Sequence, residues 1–190
     1  MNLITVSACE PCHDGFKLDD EYFRLVLSIR PDVPNETTTK YLLTKTVRSL
    51  QYKEAKGLQA SVLASIKRLA MHSPAGTYLG EAYGMKLDFR RLNITAQRII
   101  KGFFAHYRKV RLPDTHRVTV YFNDLQKDTS AIETPVIQEL LNLLGRAEVY
   151  RLGGSIVEIR SIVVDDDQHT TAWFIRMIEA VSFFAFTHPR

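Results

Sequence analysis

The sequence has few cysteines, no long apolar run and no repeated segment. Its 190 residues include two cysteines, and no stretch approaches the ~18 consecutive apolar residues that a membrane helix requires. The first residues, MNLITVSACEP, have neither a basic region nor a long apolar region, so they lack the features of a secretory signal. We therefore expect a cytoplasmic protein without a membrane partner, whose thiols stay reduced unless a metal holds them.

The composition is that of an ordinary globular chain with a mild positive charge. Hydrophobic residues make up 45% and charged residues 24%, and the formal net charge is +4. A chain of this length buries a sizeable core in one domain. The positive charge allows nucleic acid or an acidic protein surface as a partner, and it selects neither of them.

Hydrophobic periodicity predicts helices in the first part of the chain. A first helix is expected in KLDDEYFRLVLSI, with Phe23, Val26 and Leu27 on its apolar face. A second is expected to follow a cap at Asn35 or Thr37 and to reach Ala70, divided near Gly57. HSPAGTYLGEAYG is predicted to be a loop because of its glycines. Another helix is expected in AQRIIKGFFAHYRKV, beginning at Asn93 or Thr95.

The remainder of the chain predicts strands. RVTVYF alternates between apolar and polar residues, PVIQELLNLLG is typical of a short helix, and the segments AEVYRLGGSIVEIRSIVV and AWFIRMIEAVSFFAFT are typical of strands. We predict an α+β fold with a helical N-terminal two-thirds and a small antiparallel β-sheet region. The expected organisation is 1–30 for the cysteine turn and first helix, 31–112 for the helical region and 113–190 for the β-rich region, within one compact domain.

Both cysteines lie in the motif CEPCH, which is compatible with three chemistries. The C-x-x-C-H pattern matches a haem attachment site, but such haem is attached after export, so no haem is expected. A dithiol redox site needs a βαβ context, which the helical segment after the motif does not provide. The third chemistry is one half of a zinc knuckle, because a C-x-x-C turn supplies two of the four ligands that zinc requires.

The chain offers no obvious second pair of zinc ligands. Apart from His13, the histidines are isolated in the sequence: His72, His106, His116, His169 and His188. A zinc site shared between two copies in a homodimer is one interpretation of the cysteine turn. The other is that Cys9 and Cys12 are small buried residues without a ligand.

Several motifs together resemble the second half of the HNH endonuclease motif and the region that follows it. The matching residues are Asn2-Leu3, Cys9, Cys12, His13, Gly15-Phe16 and Asp20-Glu21-Tyr22-Phe23-Arg24. QRIIKGFFAHYRKVRLP is similar to the basic helix of one branch of that family, and TAWFIRMIEAVSFFAFTHP is similar to its closing aromatic strands.

The resemblance implies roles for four residues. Asn2 would be the asparagine that orients a general-base histidine, and His13 would be a ligand of the divalent cation that stabilises charge on the scissile phosphate. Cys9 and Cys12 would form half of the zinc knuckle. Asn2 and His13 are therefore the candidate catalytic residues, and Cys9, Cys12 and His13 are the candidate metal ligands.

The family has its general-base histidine and a second C-x-x-C before the position of Asn2, where this sequence has Met1. The resemblance thus implies a catalytically incomplete HNH-like protein that binds nucleic acid or a nucleoprotein complex. By analogy it would be a phage or mobile-element inhibitor of a nucleic-acid-directed system. The alternative is a metal-dependent HNH endonuclease that cleaves DNA, its site completed by missing N-terminal residues or by dimerisation.

A cluster of basic residues supports the expectation of a nucleic-acid partner. The predicted phosphate contacts are Arg98, Lys101, Arg108, Lys109 and Arg111. On an open helix these side chains would neutralise phosphates while Phe103, Phe104 and Tyr107 pack inward. An amphipathic helix with a solvated basic face explains the same pattern.

Overall fold

The structure is a computed structural model and describes residues 15–29, 36–123, 135–153, 156–164, 166–178 and 181–190. These residues form an α+β fold. The helices are α1 (Lys17–Ser28), α2 (Glu36–Leu50), α3 (Lys56–Ser65), α4 (Phe89–Arg108) and α5 (Pro135–Arg146). The strands are β1 (Ile66–His72), β2 (Tyr78–Met85), β3 (His116–Phe122), β4 (Tyr150–Leu152), β5 (Val157–Val163), β6 (Thr171–Met177) and β7 (Val181–Pro189).

The strands form two antiparallel sheets. β1 and β2 make a hairpin, and the other five strands are ordered β3-β7-β6-β5-β4. Strand β7 therefore lies between β3 and β6, with Val120 opposite Ala185 and Trp173 also opposite Ala185. This order places β3 at one edge of the larger sheet and β4 at the other.

Helix α4 supplies the main helical contribution to the core. Leu92, Ala96, Ile100 and Phe104 repeat every four residues, so they share one face of the helix, and each is at most 1% exposed. This face packs in one cluster with Trp173, Ile175 and Phe183, among other buried sheet residues. Burial of this many large side chains is the main source of stability that the described residues show.

Helix α1 joins the same core beside α4. The ring of Phe23 lies 6.5 Å from that of Phe122 on β3, measured between centroids. The Tyr22 hydroxyl accepts a hydrogen bond of 2.7 Å from the backbone N–H of Asp88, just before α4. Burial raises the pKa of Tyr22. The start of α4 is thus tied to the middle of α1.

The α+β class is confirmed, but the prediction of a helical N-terminal two-thirds is wrong. The helix predicted to reach Ala70 ends at Ser65, and the residues from Ile66 onward pair as β1 with β2. The predicted loop HSPAGTYLGEAYG contains most of β2. Ile66 and Leu69 have helical spacing, whereas Leu69 and Met71 alternate as in a strand, so the pairing of β1 with β2 decides the outcome.

The glycines of β2 explain why the sequence predicts a loop where the structure has a strand. Gly80 has φ +119, a backbone conformation that side chains disfavour, and lies next to the irregular pairing of Met71 and His72.

In the described ranges, no helix combines the length and the apolar character needed to cross a membrane.

Candidate functional site

The four residues assigned to the HNH-like motif, Asn2, Cys9, Cys12 and His13, lie outside the described residues. Their predicted roles stay predictions. The described chain begins at residue 15, directly before α1. Among the described residues, the first turn of α1 is the helical turn that lies nearest to these four in the sequence.

Two ion pairs connect this first turn to α4. Arg98 Nη1 donates to Asp20 Oδ1 at 2.8 Å, and Arg91 Nη1 donates to Asp19 Oδ1 at 2.7 Å. The guanidinium of Arg98 also lies over the Phe16 ring, 4.7 Å from its centroid. A cation over an aromatic ring adds to the charge pairing. These contacts hold residues 16–20 against the basic helix.

The ends of α4 have well-defined caps. Asp88 Oδ1 accepts hydrogen bonds from the backbone N–H groups of Arg90 and Arg91, at 3.1 and 3.4 Å. Such a side chain satisfies amides that have no partner within the helix. At the other end, Lys109 has a left-handed conformation with φ 59. The caps set the length over which α4 presents its polar face.

A polar cleft of about 400 Å³ lies between α4 and the edge strand β3. Asn93, Gln97 and Lys101 line it from α4, and their spacing of four residues places them on one helix face. The residues that line it from the other side are His116, Arg117, Val118, Thr119, Val120 and Arg190. Among these described lining residues, three have permanently cationic side chains and none is Asp or Glu.

The position of His116 in this cleft is fixed by its neighbours. Its Nε2 lies 2.7 Å from Asp167 Oδ2, and its Nδ1 lies 3.1 Å from Thr115 Oγ1. The ring of His169 is 5.5 Å away. A hydrogen bond from the backbone N–H of His169 and one from His116 lower the pKa of Asp167. His116 and His169, which are far apart in the sequence, are thus neighbours in the fold.

The structure separates the five predicted phosphate contacts. Lys101 lines the cleft. Arg98 forms an ion pair with Asp20, and Arg111 Nη2 lies 3.5 Å from Asp114 Oδ1. Arg108 and Lys109 lie at the C-terminal end of α4, where the charge of Arg108 acts on Tyr150. Arg98 thus faces α1, and the assignment of these five residues as phosphate contacts stays a prediction.

Sequence reasoning missed Asn93, Gln97, Arg117 and Arg190 as cleft residues. The sequence predicts Asn93 as a helix start and not as a cleft residue. The four-residue spacing of Asn93, Gln97 and Lys101 is visible in the sequence, but the opposite wall depends on the position of β3 in the sheet.

Within the described ranges, no group of three or more His, Cys, Asp or Glu residues could hold a metal ion. The cysteine turn is not part of those ranges, so zinc binding and the homodimer stay predictions. Comparisons with models of protein families, with curated proteins and with solved structures found no match.

Proposed function

We propose that this protein binds nucleic acid through the cleft between α4 and β3. The observation that carries the proposal is the set of cations Lys101, Arg117 and Arg190 around one polar cleft, without an acidic residue among its described lining residues. Phosphate groups are the usual partners of such a set. When protein cations contact the phosphates, they displace the counterions that are condensed on the nucleic acid, and this release favours binding.

The number of cations predicts how binding depends on salt. Each neutralised phosphate contributes a slope of roughly −0.7 for a single strand and −0.9 for a duplex in a plot of log K against log salt concentration. Three contacts therefore predict a slope of about −2 to −3. Steeper slopes would indicate that further cations, such as Lys109, also contact the backbone.

The test is a binding titration between about 50 and 200 mM salt, with the wild type, Lys101→Ala and Arg117→Ala. Each variant should weaken binding and make the slope less negative by about 0.7 to 0.9. Arg151→Ala is the matched control, because it removes one arginine charge on β4, at the opposite edge of the sheet. A wild-type slope near zero, or equal losses in all three variants, would contradict the proposal.

The HNH-like motif provides a second candidate function, a metal-dependent nuclease. The observation that favours it is the pairing of Asp19 and Asp20 with Arg91 and Arg98. These pairs hold the residues that follow the motif against the basic helix. A cation bound by His13 would stabilise charge on the scissile phosphate.

Plasmid cleavage with magnesium or manganese distinguishes the two candidates. We expect DNA binding without cleavage, as for a catalytically incomplete protein. Cleavage that His13→Ala abolishes and His72→Ala preserves would establish the nuclease instead. Elemental analysis adds an independent measurement: about half a mole of zinc per chain in a dimer is the value for one Cys₄ site shared by two copies of the Cys9/Cys12 turn.

A further inference from the structure

One buried acceptor in the wall of the cleft has no partner among the residues that the structure describes. Asn93 Oδ1 is buried, and no hydrogen bond reaches it from the residues that the structure describes. His169 Nδ1 and Arg176 Nε are in the same situation, but neither residue lines the cleft. Unpaired buried acceptors are uncommon because they lose the hydrogen bonds that water supplies in the unfolded chain. Because this oxygen is buried, a donor from a bound ligand reaches it only when the Asn93 side chain turns toward the cleft.

The arrangement along α4 combines amide groups with a cation. Gln97 lies one turn beyond Asn93, and Lys101 lies one turn beyond Gln97 on the same face. At 1.5 Å per residue, Lys101 is about 6 Å from Gln97 and about 12 Å from Asn93 along the helix axis. Asn and Gln amides pair with the edges of nucleobases, and lysine pairs with phosphate.

The shape of the cleft favours one nucleotide over a duplex. Its volume of about 400 Å³ lies in the range of sites for single small ligands. Proteins read a duplex by placing a helix or a β-ribbon into a groove. Here the face of α4 that carries Asn93 and Gln97 lies opposite β3, so this face cannot enter a groove. A base must leave its stack to reach the two amides.

We propose that the cleft binds one unstacked nucleotide of a single-stranded nucleic acid. The phosphate contacts Lys101, Arg117 and Arg190, and the base edge contacts the amides of Asn93 and Gln97. The inference rests on the proposed function and specifies its ligand. Adenine is the preferred base, because an Asn or Gln amide forms two hydrogen bonds with it.

The experiment compares three labelled probes of equal length by fluorescence anisotropy: oligo(dA), an abasic strand with the same phosphates, and a duplex. The wild type should bind oligo(dA) roughly tenfold more tightly than the abasic strand, which is the value of one good amide–base pair. Asn93→Ala and Gln97→Ala should reduce this preference while the salt slope stays unchanged. Gln51→Ala is the control, since it removes an exposed amide outside the cleft.

The outcomes separate this inference from the function on which it rests. Equal affinity for oligo(dA) and the abasic strand, with the expected salt slope, would overturn the nucleotide site and leave phosphate binding intact. Tighter binding of the duplex would also overturn it. Absence of salt-dependent binding to all three probes would refute the proposed function itself. Thermal unfolding of each variant identifies a loss that comes from misfolding, and Gln97→Ala then provides the test if Asn93→Ala does not fold.

Discussion

At the scale of single residues, the carboxylate of Asp167 ties the segment between β5 and β6 to strand β3. It accepts hydrogen bonds from the backbone N–H of His169 at 2.9 Å, from Thr170 Oγ1 at 3.1 Å and from His116 Nε2 at 2.7 Å. These donors lower its pKa, with the His169 backbone contributing most. The position of His116 at the cleft therefore depends on one ionised group.

Asp167→Asn should destabilise the protein in a manner that depends on pH. Because the folded carboxyl has a lower pKa than its ordinary value of 3.8, its contribution is present above that pH and is lost as pH falls through the folded pKa. Unfolding in urea should thus show a difference between wild type and variant near neutral pH that shrinks below about pH 3.8.

The control for this prediction is Asp114→Asn, at an exposed carboxylate whose arginine partner is also exposed. This variant should match the wild type at every pH, because exposed pairs contribute little. A difference between wild type and Asp167→Asn that is constant with pH would show that the charge of Asp167 is not the source of its effect.

At the scale of elements, the sequence predicts the middle of α4 correctly and its ends less well. The expectation that Phe103, Phe104 and Tyr107 pack inward agrees with the structure, in which Phe104 is in the core and the other two pack against it. The sequence predicts a start at Asn93 or Thr95, whereas the helix begins at Phe89 after the cap of Asp88. Aspartate is a favourable N-cap residue. Asp88 acts as one because of the path of the chain before α4, which the hydrogen bond from its backbone N–H to Tyr22 helps to fix.

The C-terminal end of α4 permits a test of backbone conformation. Lys109→Gly should raise the free energy of unfolding by about 1 kcal/mol, because glycine adopts the left-handed conformation without the steric cost that lysine has. Lys101→Gly is the matched comparison: the same exchange inside the helix should lower stability by about 1 kcal/mol. Urea denaturation measures both values, and shifts in the same direction would contradict the assignment of the helix end.

At the scale of the whole molecule, stability is distributed unevenly between the two sheets. Trp173, Ile175, Phe183 and Ala185 in the larger sheet are fully buried, whereas all seven residues of β1 are exposed. Two-stranded hairpins have little stability of their own. The larger sheet should therefore open only with global unfolding, and the hairpin should open locally.

Hydrogen exchange measures this difference. Backbone amides of β6 and β7 should be protected near the level of global unfolding, and those of β1 and β2 should exchange much faster. The comparison is internal to one sample, so it needs no variant. Equal protection in both sheets would contradict the prediction and would show that the hairpin is covered in solution.

The limits of sequence analysis at this scale come from strand order. Alternation predicts β3, the aromatic and β-branched residues of AWFIRMIEAVSFFAFT predict one or two strands where β6 and β7 lie, and PVIQELLNLLG predicts the helix at 135–146. The sequence does not predict the order of these strands, because pairing between β3 and β7 joins residues far apart in the chain. The cleft is a product of that arrangement, so Arg117 could not be assigned to it from the sequence.

The position of β7 between β3 and β6 also sets an order of events during synthesis. Within the described strands, β3 is hydrogen-bonded to β7 alone, so β3 leaves the ribosome with both of its edges open and waits for β4, β5 and β6 to follow. During that interval β3, which carries Val118, Val120 and Phe122, is an unpaired hydrophobic strand that other chains can pair with. The protein's vulnerability to aggregation should accordingly be greatest in the nascent chain, before β7 emerges and both completes the sheet and closes the inner edge of β3.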